Sequence, residues 1–446
     1  MLEIYFIAMR EAFQKILDKF EGISQKELLG LYFVFATFFM VYQHSMGWAW
    51  DFSVYSLNAE YLFHEGVYME WKRPPLLPVI LGLLQYLFSL RLAEYVFIVL
   101  NSGFFLYSVL RLSDSYDVDA LYLYVFVMSP YILFYSALEG TELLFLSFIG
   151  LVFANLKTPK AGVWLGLAFL TRYTGAIFLV LLVFQRNFKK IIQSLILAGL
   201  MVLPWLVFNQ ITLGHPFASM IDSYALDVVE RGLETPFKPF DIIAMTGLAL
   251  PLMGYYLKGK ELDYTDFVMI FASVLIVLRQ LGTAIKVRRY LFDLSLPVAF
   301  LAAKGLQKTS YRKPTIYIIM FLYLGGSVFL LIGSQPLANP GVFQEASNQI
   351  GECKTVSNRW PMLSYAGTPT GPLETQFKSE EEYLEQGYKI AVFEEGDYSL
   401  RGDECIKGSF DSTYIERLDE KYGANVCSYS PIKTCRIERK LEMAFG

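Results

Sequence analysis

The side chains best suited to chemistry are carboxylates and cations at the ends of apolar runs. Asp51 stands in Trp50-Asp51-Phe52, directly after the first such run, and is followed by Tyr55, Asn58, Glu60, His64, Glu65, Tyr68 and then Lys72-Arg73-Pro74-Pro75. Glu139 and Glu142 lie at the end of a later run, Arg172 sits between two more, and Arg279, Lys286, Arg288 and Arg289 gather between the last pair but one. A carboxylate beside a hydroxyl can take its proton as a general base. Guanidinium and ammonium groups stabilise charge growing on a phosphate oxygen. Singly, each of these residues also reads as a snorkelling charge at a water interface; as a set they require the elements that would bring them together.

Those elements are membrane spans. Of 446 residues, 54% are hydrophobic and 18% charged, and the mean hydropathy is +0.40. Soluble domains carry roughly 25% charged residues, so a soluble enzyme, a coiled coil and a disordered chain are excluded. A net charge of −4 without a Lys/Arg-rich block excludes nucleic acid as a partner. Apolar runs near residues 28–47, 94–110, 118–136, 141–156, 161–171, 173–185, 191–208, 239–257, 264–280, 289–303 and 315–333 predict about eleven transmembrane helices. Leu76 to Leu90 is short and opens after Pro74-Pro75, so it reads as a helix lying at the interface. Residues 1–20 place Leu2, Tyr5, Phe6, Met9 and Phe13 on one stripe opposite Arg10, Lys15 and Lys19, as in an amphipathic surface helix. No small-residue cleavage site follows the first span, which is therefore expected to be an uncleaved anchor.

With the N-terminus inside, sixteen of the 38 Lys and Arg fall in inner loops, ten in outer loops and twelve after residue 335. This satisfies the positive-inside rule. On this topology the carboxylates and cations named above all meet at the outer leaflet, and the polar C-terminal region lies outside. All four cysteines, Cys353, Cys405, Cys427 and Cys435, fall in that region. An even set there predicts two disulfides in an oxidising compartment, whereas zinc binding would want a C-x-x-C pair that the chain lacks. Ser430-Pro431 can turn the chain between Cys427 and Cys435, which leaves Cys353–Cys405 by elimination. Strand-like runs at Lys354–Ser357, Lys389–Phe393, Asn425–Tyr429 and Thr434–Arg439 alternate with helix-like Ser379–Gln386 and Ile415–Lys421. The expected organisation is a cytoplasmic amphipathic helix (1–27), a polytopic α-helical transmembrane domain (28–335) with a first outer loop at 48–93, and a C-terminal extracytoplasmic α/β domain (336–446).

Nucleotide sugars and ATP are cytoplasmic, so synthesis at an outer-face site must draw on a donor already carried in the membrane, and a polyprenyl-phosphate sugar meets that need. Its phosphate is a weak base that departs without a proton, so the paired acid and base of a glycosidase are unnecessary. One carboxylate base plus cations suffices.

Trp50-Asp51-Phe52 with Tyr55, Ala59, Leu62, Gly66, Tyr68 and Arg73-Pro74-Pro75-Leu76 resembles the first outer loop of the GT-C membrane glycosyltransferases, in the branch of the protein O-mannosyltransferases and lipid A aminoarabinose transferases. Four later stretches resemble the same family in the same order: Ser129-Pro130 to Thr141-Glu142, Gly166 to Tyr173, Pro204-Trp205 to Phe217, and Arg289-Tyr290-Leu291 to Leu296-Pro297. The resemblance covers roughly residues 28 to 310. It implies that Asp51 is the catalytic carboxylate, that Glu142 is a second acidic position, and that Arg73 precedes an interfacial helix. Many relatives carry a second acid directly after the first, where this chain has Phe52; Glu139 is an additional carboxylate.

The function expected from residues and resemblance is inverting transfer of one sugar from a dolichyl-phosphate-type polyprenyl donor to an acceptor hydroxyl of a glycan, lipid or protein on the outer membrane face. Asp51, Glu142 and Glu139 are the catalytic candidates, Lys72, Arg73, Arg172, Arg288 and Arg289 the donor-phosphate candidates, and Tyr55 and Tyr68 the sugar or acceptor contacts. No cofactor is required, although Asp51 and Glu142 have the oxygen ligands to share a divalent cation. The alternative is a lipid or sugar transporter, but such proteins keep ionisable groups near the bilayer midplane and show repeated halves, and this sequence has neither. His44, His64 and His215 lie in separate segments and read as interface or packing residues.

Overall fold

A computed structural model describes residues 23–407 apart from 65, 67–68, 226–235, 259–261, 283–285, 334–337, 374–378, 395–396 and 403, and without the side chains of 137, 139, 221, 222, 224 and 225. The expected surface helix at 1–20, Tyr68, the side chain of Glu139, Cys427 and Cys435, and the elements expected after residue 407 lie outside the described residues.

Among the described residues five helices are long and apolar enough to cross a bilayer: Gln25–Ser45, Leu90–Tyr116, Phe188–Leu213, Tyr264–Gly282 and Arg312–Gly333. Phe240–Thr246 and Ala249–Leu257, meeting at 97°, make a sixth if counted as one broken span. These account for six of the eleven runs. The other five appear as shorter pieces: Ala120–Val127 with Pro130–Glu139, Glu142–Ala154, Ala161–Thr171, the 3-10 helix Tyr173–Gln185, and the 3-10 helix Arg288–Leu294 with Ser295–Gln307. A 13-residue α-helix is only about 20 Å long against roughly 30 Å of hydrocarbon.

The reason is burial. Leu121 to Val127 and Glu142 to Phe153 are buried throughout, packed among other helices. Phe188–Leu213, by contrast, turns Leu195, Ile196, Leu200, Leu203 and Val207 outward, as a lipid-facing helix does. Apolar composition is the same in both cases, so hydropathy alone does not separate a lipid-facing span from the core of the bundle. The chain is thus a polytopic helical membrane protein, but many of its apolar runs are interior.

Local chemistry sets the breaks. Proline disfavours α geometry in the residue before it and cannot donate a helical hydrogen bond; accordingly Ser129 is extended (ψ 161°) and Pro130 opens a new helix. Gly247 takes φ 55° at the bend of the broken span. Ser24 and Glu27 form a reciprocal capping box that starts the first long helix.

Among its described residues the C-terminal region contains a four-stranded sheet of β1 (Thr355–Ser357), β2 (Thr370–Pro372), β3 (Lys389–Glu394) and β4 (Asp397–Arg401). Its order is β2-β1-β3-β4, with β1 parallel to both neighbours and β3 antiparallel to β4. β1 is buried along its whole length, as a central parallel strand should be. Helices Pro340–Ile350, Trp360–Tyr365 and Glu380–Glu385 complete an α/β unit. β1, β3 and the last helix fall on three of the predicted runs; β2 and β4 do not, β2 because Gly371 and Pro372 are poor strand formers, and β4 despite the polar–apolar alternation of Asp397–Arg401.

Cys353 and Cys405 form a disulfide across 52 residues of chain, as expected. Closing a loop of that length contributes about 4 kcal/mol in the chain-entropy view. Replacing both cysteines by serine is therefore expected to raise amide hydrogen exchange at β1 and β3 while leaving Leu90–Tyr116 unchanged; unaltered protection of the strands would show the bond to be dispensable.

Candidate active site

The stretch expected to be the first outer loop folds into the helix Trp50–Phe63, with Asp51 in its first turn, where the helix dipole favours a carboxylate. Asn58, fully buried on the same helix, grips the returning chain: its side-chain amide donates to the Glu70 carbonyl at 3.2 Å and its carbonyl accepts from the Glu70 amide at 2.8 Å. Met69 and Trp71 are anchored in an apolar cluster with Leu170, Trp205 and Leu213. Arg73 is held between these fixings. Its Nε donates to Glu70 Oε2 at 2.5 Å, its Nη2 to Asp51 Oδ1 at 2.7 Å, and its guanidinium lies 5.4 Å from the centre of the Tyr55 ring. Lys72 pairs with Glu70 at 3.3 Å.

The second oxygen of Asp51 accepts from Arg289 Nη1 at 2.9 Å, a contact across 238 residues of sequence. Asp51 is thus flanked by two guanidinium groups, with 13% of its side chain exposed. Successive residues of a 3-10 helix point about 120° apart, so Arg288 cannot share this position. It donates instead to Asp241 Oδ1 and to the Tyr131 hydroxyl, at 2.7 and 2.8 Å. Of the five expected phosphate-site cations, Arg288 therefore stands apart from the Asp51 cluster.

A second pair lies close by. Gly140, at φ 79°, ends the Pro130–Glu139 helix and turns the chain so that Glu142 enters the first turn of the next. A Cβ on Gly140 would come within 2.8 Å of Leu77 and 2.9 Å of Phe52, so glycine permits this turn to abut the Asp51 helix. Glu142 is almost fully buried and accepts from Arg172 Nη1 at 2.7 Å; the same nitrogen donates to Thr141 Oγ1 at 3.0 Å. Arg172 is extended between two helices and lies 5.0 Å from the centre of the Phe292 ring. Tyr55 links the two pairs electrostatically. Burial pushes its hydroxyl up to about 12, with Arg73 and Arg172 pulling it down and Asp51 and Glu142 pushing it further up. At neutral pH it is an uncharged hydrogen-bond donor.

Asp51 and Glu142, the pair suited to share a divalent cation, each face guanidinium groups. Among the described residues no group of three or more His, Cys, Asp or Glu could hold a metal ion. Two charged residues in these contacts, Glu70 and Asp241, are not among the sequence candidates. Glu70 has a legible signal, the acid-to-base spacing of three that leads to Arg73. Asp241 has none, because its partner is 47 residues away. His44 and His64 contact Glu94 and the Gly82 carbonyl, apart from the ion pairs of Asp51.

Residues 73–277 match glycosyltransferase family 87. The matched stretch contains Arg73, Glu142 and Arg172 and excludes Asp51 and Arg289. No curated protein matches the sequence. Among solved structures, ArnT from Cupriavidus metallidurans, bound to undecaprenyl phosphate, is similar with a TM-score of 0.63 and 11% identity, over 81% of this chain and 92% of that one. This chain therefore has the fold of the GT-C membrane glycosyltransferases.

Proposed function

We propose that the chain is an inverting glycosyltransferase, moving a single sugar from a polyprenyl-phosphate donor to an acceptor hydroxyl on the outer membrane face. The observation that carries this reading is Asp51 held between Arg73 and Arg289, a carboxylate base set against two phosphate-binding cations. The undecaprenyl phosphate held by ArnT supports a polyprenyl-linked donor here.

In the proposed step the acceptor oxygen attacks the anomeric carbon as the bond from that carbon to the phosphate oxygen breaks. The acceptor proton passes to Asp51. The leaving phosphate gains one negative charge, which Arg73, Arg289 and, from the neighbouring pair, Arg172 stabilise. A single displacement inverts the anomeric centre. A carboxylate offers about four lone-pair sites, so two guanidinium contacts are compatible with a further bond from the acceptor hydroxyl. The neutral Tyr55 hydroxyl donates to sugar or phosphate.

The test is incubation of the purified membrane protein with a panel of radiolabelled polyprenyl-phosphate sugars, following which label leaves the lipid and with which anomeric configuration. Release from no member of the panel, or product of retained configuration, would overturn the reading. Because the proposed base and cations need no metal, the rate is expected to survive EDTA; loss on chelation, restored by Mg²⁺ or Mn²⁺, would instead assign Asp51 and Glu142 to a cation site.

A further inference from the structure

The helix that carries Asp51 is clamped on two sides. Facing the transmembrane bundle, Ser56 donates to Glu94 Oε1 at 2.6 Å, and His44 meets the other oxygen of that deeply buried carboxylate at 2.9 Å. The His44 ring also packs 4.6 Å from that of Phe52, the neighbour of Asp51. On another face, Trp50, Val54 and Leu57 form an i, i+4, i+7 stripe, and it is covered by Trp360 of the α/β unit. Trp360 is 4% exposed, Val54 is fully buried, and the Trp50 and Trp360 rings meet edge-on at 6.2 Å.

Trp360 is fixed to the sheet. Asn358, two residues before it, donates to the Phe393 carbonyl and accepts from the Phe393 amide, both at 3.0 Å, so the segment is bonded to β3. The chain entering the Asp51 helix is tied to the same unit. Trp48 and Ala338 exchange two backbone hydrogen bonds, of 3.0 and 2.9 Å. The Trp48 ring contacts Tyr365, and the Arg91 guanidinium lies 4.8 Å from the Trp48 ring centre and 4.5 Å from that of Tyr365. The first turn of the Asp51 helix is thus held by residues more than 280 positions away in sequence.

We propose that the C-terminal α/β unit braces the catalytic helix, and that Trp360 is a positioning residue for Asp51. This rests on the assignment of Asp51 as the base. Asp51 follows Trp50 immediately, so any tilt of the helix toward a space left by Trp360 displaces the carboxylate from the reacting hydroxyl. Arg172 is held off this helix by Glu142 and Thr141, and Arg73 keeps its bond to Glu70 when its contact with Asp51 loosens, so donor binding is affected less than the reaction.

The experiment uses the full chain with its disulfide intact, as wild type, Trp360→Ala and Trp360→Phe, with two readouts. Amide hydrogen exchange over residues 50–57 is expected to quicken by about tenfold in Trp360→Ala, with Leu90–Tyr116 unchanged and Trp360→Phe close to wild type. Turnover with the labelled donor should fall by up to about 100-fold, the cost of a misplacement of about 1 Å, while donor affinity holds and Trp360→Phe recovers most of the rate. Unchanged exchange at 50–57, or exchange that rises across the whole chain, would overturn the brace. So would a loss of donor affinity matching the loss of rate. If wild type transferred no sugar at all, the functional reading would fail while the exchange result still decided the brace.

Discussion

Asp51→Asn is expected to lower turnover by about 100- to 10,000-fold, the range typical of lost general-base catalysis, while leaving donor affinity equal or higher. The amide keeps the size and shape of the carboxylate but cannot accept the acceptor's proton. The second half of the expectation comes from the contacts. Arg73 and Arg289 both hydrogen-bond to Asp51, so an incoming phosphate must compete with this carboxylate for the same guanidinium groups. Neutralising position 51 removes the competitor. Donor binding by a fluorescent or radiolabelled polyprenyl phosphate, measured beside single-turnover transfer, separates the two effects. Near-normal transfer by the folded variant would exclude Asp51 as the base and direct attention to Glu142 and Glu139.

Much of this cluster is legible before any fold is known, because on the expected topology the positive-inside rule depletes outer-face cations and those that remain stand out. Arg73, Arg172 and Arg289 attract attention on that ground, and Asp51 on its position directly after a span. What composition cannot convey is pairing. The contact between Asp51 and Arg289 joins the helix Trp50–Phe63 to a 3-10 helix that begins at Arg288, and only the packing of intervening helices brings them together. The divergence of Arg288 from Arg289 follows from the same 3-10 geometry, which an apolar run near 289–303 does not reveal.

The spans divide in a similar way. The long helices at Gln25–Ser45 and Phe188–Leu213 fall where hydropathy puts them, since length and apolar content suffice to mark a crossing. Residues 118–136 read as one more, yet Pro130 splits them and neighbours bury both pieces. Pro130 is visible in the sequence and is a sound reason to expect a break. The short lengths of Glu142–Ala154 and Ala161–Thr171 are also visible, since apolar runs of this size are more often buried helices than spans. The brace between Trp360 and the Asp51 helix has no comparable signal, because a buried tryptophan in an α/β unit reads first as that unit's own core.

Arg73→Ala and Arg289→Ala are each expected to weaken donor binding by about 10- to 150-fold, the equivalent of the 1.5 to 3 kcal/mol lost with a hydrogen bond to a charged group. Arg73 should show the larger effect. Glu70, Asp51 and the Tyr55 ring hold it in one orientation, so little side-chain entropy is lost when phosphate arrives. Its removal also leaves Glu70 with one cation fewer beside the anion. Arg289 contacts Asp51 and the Tyr290 ring and is somewhat more exposed than Arg73, with 23% against 17% of its side chain open to solvent. Arg288→Ala supplies the internal control. Its guanidinium is engaged by Asp241 and Tyr131, so donor affinity should change by no more than about twofold, the scale of a substitution away from critical contacts. Lys72→Ala should fall between these limits, since Lys72 reaches the cluster through Glu70. Titration of the four variants with one polyprenyl phosphate gives the order directly. An Arg288 effect equal to that of Arg73 would move the phosphate toward Asp241, and normal binding by both Arg73→Ala and Arg289→Ala would remove the phosphate from the Asp51 cluster.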